Sequence, residues 1–202
     1  QSKRIYYLSV SETTIKDDDL AALSGLVNMR ELQISHTAIT DQGLSHLTPM
    51  KNLIRLDLSN TKIKGDGLRH LSGMKRMYRL VLDDLKIKDE HLVHLADMKD
   101  LADLDLSGSA ISDAGLAHLS GLKELRRLSL YGVKLDGSGL AHLANCKNLE
   151  VLTCTNCQFT DEGLRHLQQF PKLHMLNLEN NRLTDAGMKH LAQVKALRSL
   201  WI

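Results

Sequence analysis

The chain has 202 residues, 43% of them apolar, enough to build a core in one large domain or two small ones. Lys and Arg total 26 against 24 Asp and Glu, a formal net charge of +2, which argues against nucleic acid or an anionic membrane as the main partner. No apolar run approaches the roughly 20 residues of a membrane-spanning helix, and the opening QSKRIYYLSV is not a signal peptide. Because the chain starts at Gln1 rather than Met, it reads as a processed product or a fragment of a larger protein. Three cysteines, an odd number, argue against a disulfide framework and favour a reducing compartment such as the cytoplasm.

One unit repeats from Ile5 onward. Its first residue recurs as Met29, Leu53, Met77, Leu101, Leu125, Leu149, Leu173 and Leu197, always 24 residues apart. That gives eight full units and a partial ninth (197–202), a single domain over 1–202 with no linker. In chain order, each unit opens with apolar residues at positions 4 and 6 between polar neighbours, the two-residue period of a strand. Position 4 is leucine in every unit, from Leu8 to Leu200. Position 9 follows, then an apolar residue at position 11. Position 13 includes Asp41, Asp89, Asp113, Asp161 and Asp185, a helix-start residue expected to cap free amides. Apolar positions 16, 19 and 22, three residues apart, predict one face of a short helix. Lysine at position 23, as in Lys51 and Lys75, suits the negative end of its dipole.

Such a unit cannot bury its apolar face alone, so the units must stack. The pattern L-x-x-L-x-L-x-x-(T/S/C/N)-x-(I/L/F), as in LIRLDLSNTKI from Leu53, resembles the leucine-rich repeat family over the whole chain. The segment ITDxGLxxL is most similar to 24-residue repeats common in bacterial proteins, and also to the cysteine-containing repeats of ubiquitin-ligase substrate receptors. The resemblance implies an α/β fold: a right-handed solenoid, or horseshoe, with a parallel sheet on the concave face and short helices on the convex face. The family often places Asn at position 9 to bond the turn. Here that row reads Thr13, Thr37, Thr61, Leu85, Ser109, Val133, Cys157 and Asn181, so the turns at Leu85 and Val133 are expected to be looser.

Seven histidines also recur every 24 residues: His46, His70, His94, His118, His142, His166 and His190. Zinc ligands must converge on one ion at about 2.0–2.1 Å, whereas stacked units stand about 4.8 Å apart or more, so a metal-binding row is the weaker reading. Position 15 is Gly in six of these seven units, and Gly inside a helix costs up to about 1 kcal/mol. The expectation is a notch into which the imidazole packs, a ring nitrogen bonding a neighbouring carbonyl, with stability lost below about pH 6.5. The CTNC stretch at 154–157 looks like a redox or zinc motif, but Cys154 and Cys157 fall on repeat positions 6 and 9, and Cys146 on core position 22. No local catalytic constellation, phosphate loop or calcium loop appears, so the sequence implies no enzyme, cofactor or metal.

The residues that do not repeat carry the partner reading. Positions 3, 5 and 7 point outward from the concave sheet. They include Arg55, Arg79, Val81, Asp83, Asp103, Asp105, Arg127, Tyr131, Val151, Met175 and Trp201. Tyr and Trp concentrate on this surface and its edge (Tyr6, Tyr7, Tyr78, Tyr131, Trp201), as do anchors of protein interfaces. Arg55–Asp57, Arg79–Asp83 and Arg127–Asp105 are expected to pair. The sequence therefore reads as a recognition module for a protein or peptide, serving a larger receptor or effector. The alternative is a spacer whose chain binds elsewhere, and the oligomeric state is open.

Overall fold

The computed structural model describes residues 4–202; residues 1–3 of the expected domain lie outside the described residues. Positions 3–5 of every unit form a strand: β1 (Tyr7–Ser9), β2 (Glu31–Gln33), β3 (Arg55–Asp57), β4 (Arg79–Val81), β5 (Asp103–Asp105), β6 (Arg127–Ser129), β7 (Val151–Thr153), β8 (Met175–Asn177) and β9 (Ser199–Trp201). All nine pair in parallel and in chain order, and each residue faces its counterpart 24 residues on, as Leu56 faces Leu80. The strictly constant period is what produces this register. The architecture is the solenoid that the resemblance implies. No described helix is long and apolar enough to cross a membrane.

The seven apolar positions of the unit form one continuous core. In the inner units they are essentially inaccessible, from Met29 to Leu178; Ile5, Leu8 and Leu197 at the two ends are only partly buried. The convex elements are the expected short helices, mostly of the 3₁₀ type. Among the described residues only Asp17–Ala21 and Met188–Leu191 are α-helical, and the six units between them carry 3₁₀ turns such as Gly43–Leu47 and Ala114–Leu119. The spacing explains this: residues three apart eclipse in a 3₁₀ helix, with its three residues per turn, so positions 16, 19 and 22 all face inward.

Position 13 does not cap its own unit. Its carboxylate reaches the next one. Asp113 accepts from the backbone N–H groups of Asp136 (2.9 Å), Gly137 (3.2 Å) and Gly139 (2.7 Å). Asp41 does the same for Lys64 (3.1 Å), Gly65 (3.0 Å) and Gly67 (2.8 Å). Asp17, Asp89 and Asp161 accept from both the N–H and the hydroxyl of Thr40, Ser112 and Thr184, at 2.6–2.9 Å. The Thr184 hydroxyl in turn accepts from the Ala186 N–H (3.2 Å), so the first helical turn is capped by relay from the unit before it.

This contact explains the position-15 glycines and corrects the histidine notch. A Cβ at Gly67 would stand 2.7 Å from the Asp41 carbonyl oxygen, and one at Gly115 or Gly187 would strike the carboxylate of Asp89 or Asp161. The notch is filled by the preceding unit rather than by imidazole: by the position-13 aspartate at Gly43, Gly67, Gly115, Gly139 and Gly187, and by the backbone of Asp136 and Gly137 at Gly163. The histidine row lies on the flank, His118 and His142 exposed and the other five half-buried. None of the seven rings bonds a backbone carbonyl; His166 accepts from the Arg165 Nε–H (3.3 Å). The one buried histidine, His91, occupies position 15 itself, and the rule holds in reverse there. The preceding unit has Gly65 at position 13, and a Cβ on it would collide with the His91 ring. His91 Nδ1 accepts from the Lys88 N–H (3.1 Å).

The expected looseness at position 9 has no counterpart in the hydrogen bonding. Leu85 and Val133 are buried, and their own N–H groups close the turn on Leu82 (3.4 Å) and Leu130 (3.1 Å). Asn181 bonds the carbonyls of Cys154 (2.7 Å) and Leu178 (2.6 Å) and accepts from the Phe159 N–H (2.9 Å). The row that sequence reading passed over is position 8. Glu12, His36, Asn60, Asp84, Gly108, Gly132, Asn156 and Asn180 all have positive φ, between 52° and 71°. Gly, Asn and Asp tolerate that left-handed turn best, which is why they fill most of the row.

Two outcomes follow. Asp113→Ala leaves three amides without their acceptor and should cost about 2–3 kcal/mol in urea unfolding. Asp185→Ala, whose carboxylate makes no hydrogen bond among the described residues, should change stability by less than about 0.5 kcal/mol; equal losses would contradict the ladder. Burial first, then His91 and Arg69, hold His94 below the ordinary imidazole range; burial and Arg165 do so for His166. Their folded pKa lies below the unfolded value, so stability is full above about pH 6.5 and declines as pH falls below it. The His94→Gln, His166→Gln double variant should narrow the gap between urea midpoints at pH 7.5 and 5.5.

Candidate concave-face interface

The parallel sheet turns positions 3, 5 and 7 outward and sets like positions of neighbouring units side by side, one strand spacing of about 4.8 Å apart. Charges therefore meet along a row rather than along a strand. Arg55 pairs with Glu31 (2.9 Å) and Arg79 with Asp103 (3.4 Å), both within row 3. The expected pairs Arg55–Asp57, Arg79–Asp83 and Arg127–Asp105 do not form. Residues two apart on a strand stand farther from each other than row neighbours do. Asp57 and Asp105 are also occupied: each accepts from the N–H and hydroxyl of the serine two residues on, Ser59 and Ser107. Arg127 makes no ion pair among the described residues.

An open hollow of about 500 Å³ lies over the front half of the sheet. Arg55, Arg79, Val81, Asp103 and Arg127 line it, joined by Glu31, Gln33, Asp57 and Tyr78, which the sequence reading left out of the site. The others are placed differently. Asp83 and Asp105 lie on the same face without lining the hollow. Tyr131 is 53% exposed, and Val151 and Met175 continue row 3 beyond Arg127. Trp201 stands on β9 beside Asn177, three strands from Arg127, and is not part of the central patch. Rows 3 and 5 already contained Glu31 and Asp57; only lateral packing showed that they border the hollow.

Asp83 is an acid in an unfavourable place. Burial, then the neighbouring carboxylates of Asp105, Asp84 and Asp57, push it above the usual carboxylate range, against a lowering hydrogen bond from the Asp84 N–H. The cysteines are core residues. Burial lifts the Cys146 thiol to about 11, burial and then Cys157 push Cys154 well above the ordinary thiol range, and the Cys157 Sγ donates to the Leu130 carbonyl (3.0 Å). Among the described residues, no three His, Cys, Asp or Glu side chains gather in a way that could hold a metal ion.

Family models described as leucine-rich repeats match residues 26–47 and 50–72, and a model of two such copies matches 147–191. No curated protein matches the sequence. Among solved structures, internalin C2 from Listeria monocytogenes superposes with a TM-score of 0.83 at 25% identity, covering 97% of this chain and 80% of that one. A plant peptide hormone receptor, RGFR1, determined in complex with RGF2, matches with a TM-score of 0.64 at 14% identity, over 98% of this chain and 36% of that one. The second likeness is one of fold alone.

The Asp83 environment gives a signed outcome. Its folded pKa lies above the unfolded value, so its contribution is most favourable below about pH 3.9 and is lost as pH rises. Asp83→Asn should raise the melting temperature at pH 7; an unchanged or lowered value there would contradict the cluster.

Proposed function

We propose that this leucine-rich-repeat chain is a recognition module that takes a protein or peptide partner on its concave sheet. One observation carries the reading: the exposed large apolar and aromatic side chains gather on the sheet face and its edge, as Tyr6, Tyr7, Tyr78, Tyr131, Met175 and Trp201. These side chains are about half exposed, and Tyr, Trp, Met and Arg are the residues that interface centres use. The convex turns carry mostly small and charged residues at their exposed positions and no aromatic side chain, Val93 being their exposed apolar exception among the described residues. Nine strands at about 4.8 Å span roughly 40 Å, wide enough for a standard interface. The solved relatives support the class of function: the plant receptor was determined with a partner in place.

Two variants test it. Arg79, Arg127, Tyr131 and Met175 are changed together to Ala, and Lys51, Lys75, Lys99 and Lys123 together to Ser on the convex side. With both melting as the parent does, the first should lose partner capture in pull-down and the second should keep it. Capture surviving the concave changes favours the spacer reading instead.

A further inference from the structure

Resting on the concave-face reading, we infer that the partner is an extended segment of polyproline II type carrying a carboxylate side chain and, three residues away, an apolar one. Row 3 holds three guanidiniums and two carboxylates between β2 and β6. Glu31 is taken by Arg55. Asp103 lies in register between Arg79 and Arg127 and pairs with Arg79. Arg127 is left exposed, with neither an ion pair nor a hydrogen bond from its side chain among the described residues. Asp105, the nearby acid of the next row, is held by Ser107. The surplus cation faces the open side of the sheet, where the carboxylates of its own row are already engaged by Arg55 and Arg79.

Spacing then selects the backbone. Beyond Arg127 the same row continues with Val151 and Met175, one and two strands on, half-buried and 36% exposed. Two strand spacings come to about 9.6 Å. A polyproline II segment repeats its face every three residues, with a rise of about 3.1 Å each, or about 9.3 Å. A carboxylate over Arg127 therefore places the side chain three residues away over Met175. A β-strand crossing the sheet repeats its face at about 6.6 Å and falls out of step with the row. Polyproline II also keeps its own backbone hydrated, which suits a sheet face whose N–H and C=O groups are already paired between strands.

A displayed library of twelve-residue peptides, panned on the whole chain, tests this. The expected enrichment is Asp or Glu three residues from Leu, Met, Ile or Val, in either order. Synthetic peptides of that type should bind roughly tenfold more weakly to Arg127→Gln and to Met175→Ser, each melting as the parent does. Arg127→Glu should come to prefer the same peptide with Lys in place of the acid. Enriched peptides lacking the acid–apolar spacing, no enrichment over the starting library, or binding unmoved by Arg127→Gln overturns the inference. If binding is instead lost on Tyr131→Ala or Val81→Asp, the concave reading stands without this one; if all four changes leave it unmoved, both fall.

Discussion

The fold depends on a bond between repeats: the carboxylate at position 13 holding the amide at position 12 of the unit that follows and, at Asp41 and Asp113, those at positions 13 and 15 as well. These amides open a short helical turn and have no partner within it. Water could satisfy them, but the neighbouring convex turn packs over them, so an acceptor has to come from that neighbour. A carboxylate supplies two oxygens and a charge that suits the positive end of the turn. The aspartate leaves no room for a Cβ at position 15, through its carboxylate at Gly43, Gly115 and Gly187 and first through its backbone at Gly67 and Gly139. Asp41 with Gly67, Asp89 with Gly115 and Asp113 with Gly139 are one device repeated, and Gly65 with His91 is the same contact with large and small exchanged.

Because the lock sits on the convex side and in the core, it fixes the register without using the sheet face. Left-handed turns at position 8 and the leucines at position 4 do the same work at the other end of the strand. Rows 3, 5 and 7 add contacts between units, such as Arg55–Glu31 and Arg79–Asp103, but do not set the register, and they are where the chain departs from its own repeat. Tyr131 stands where other units have Ser, Thr, Asp or Glu, and Asp83 sits among carboxylates that push it above the usual carboxylate range. Residues maintained against the fold's interest are reasonable candidates for recognition.

The solenoid was legible because its signal is multiplied: eight copies of seven apolar positions leave one way to stack. Side-chain contacts are less legible from local spacing. Gly at position 15 signals a close approach, but the group that meets it comes from the preceding unit and not from the histidine three residues on, as Asp41 does to Gly67. Arg55 was matched with Asp57, its neighbour in sequence, when its partner is Glu31, 24 residues away. The three-residue spacing of positions 16, 19 and 22 was in plain view, and it specifies a 3₁₀ turn more directly than an α-helix. In a stacked repeat the near neighbours in space lie one period away, and a reading by local spacing cannot see them.

The most direct measurement is a double-mutant cycle on Asp89 and Gly115, where a Cβ at Gly115 would strike the Asp89 carboxylate. Ala is favoured over Gly in a helical turn by about 1 kcal/mol, so crowding alone makes Gly115→Ala unfavourable. In the parent, Gly115→Ala should destabilise; in an Asp89→Ala background it should become neutral or stabilising, with a coupling above about 1 kcal/mol in urea unfolding. Additive effects, within about 0.5 kcal/mol, would show that the glycine row exists for some other reason and that the carboxylate ladder does not set the repeat.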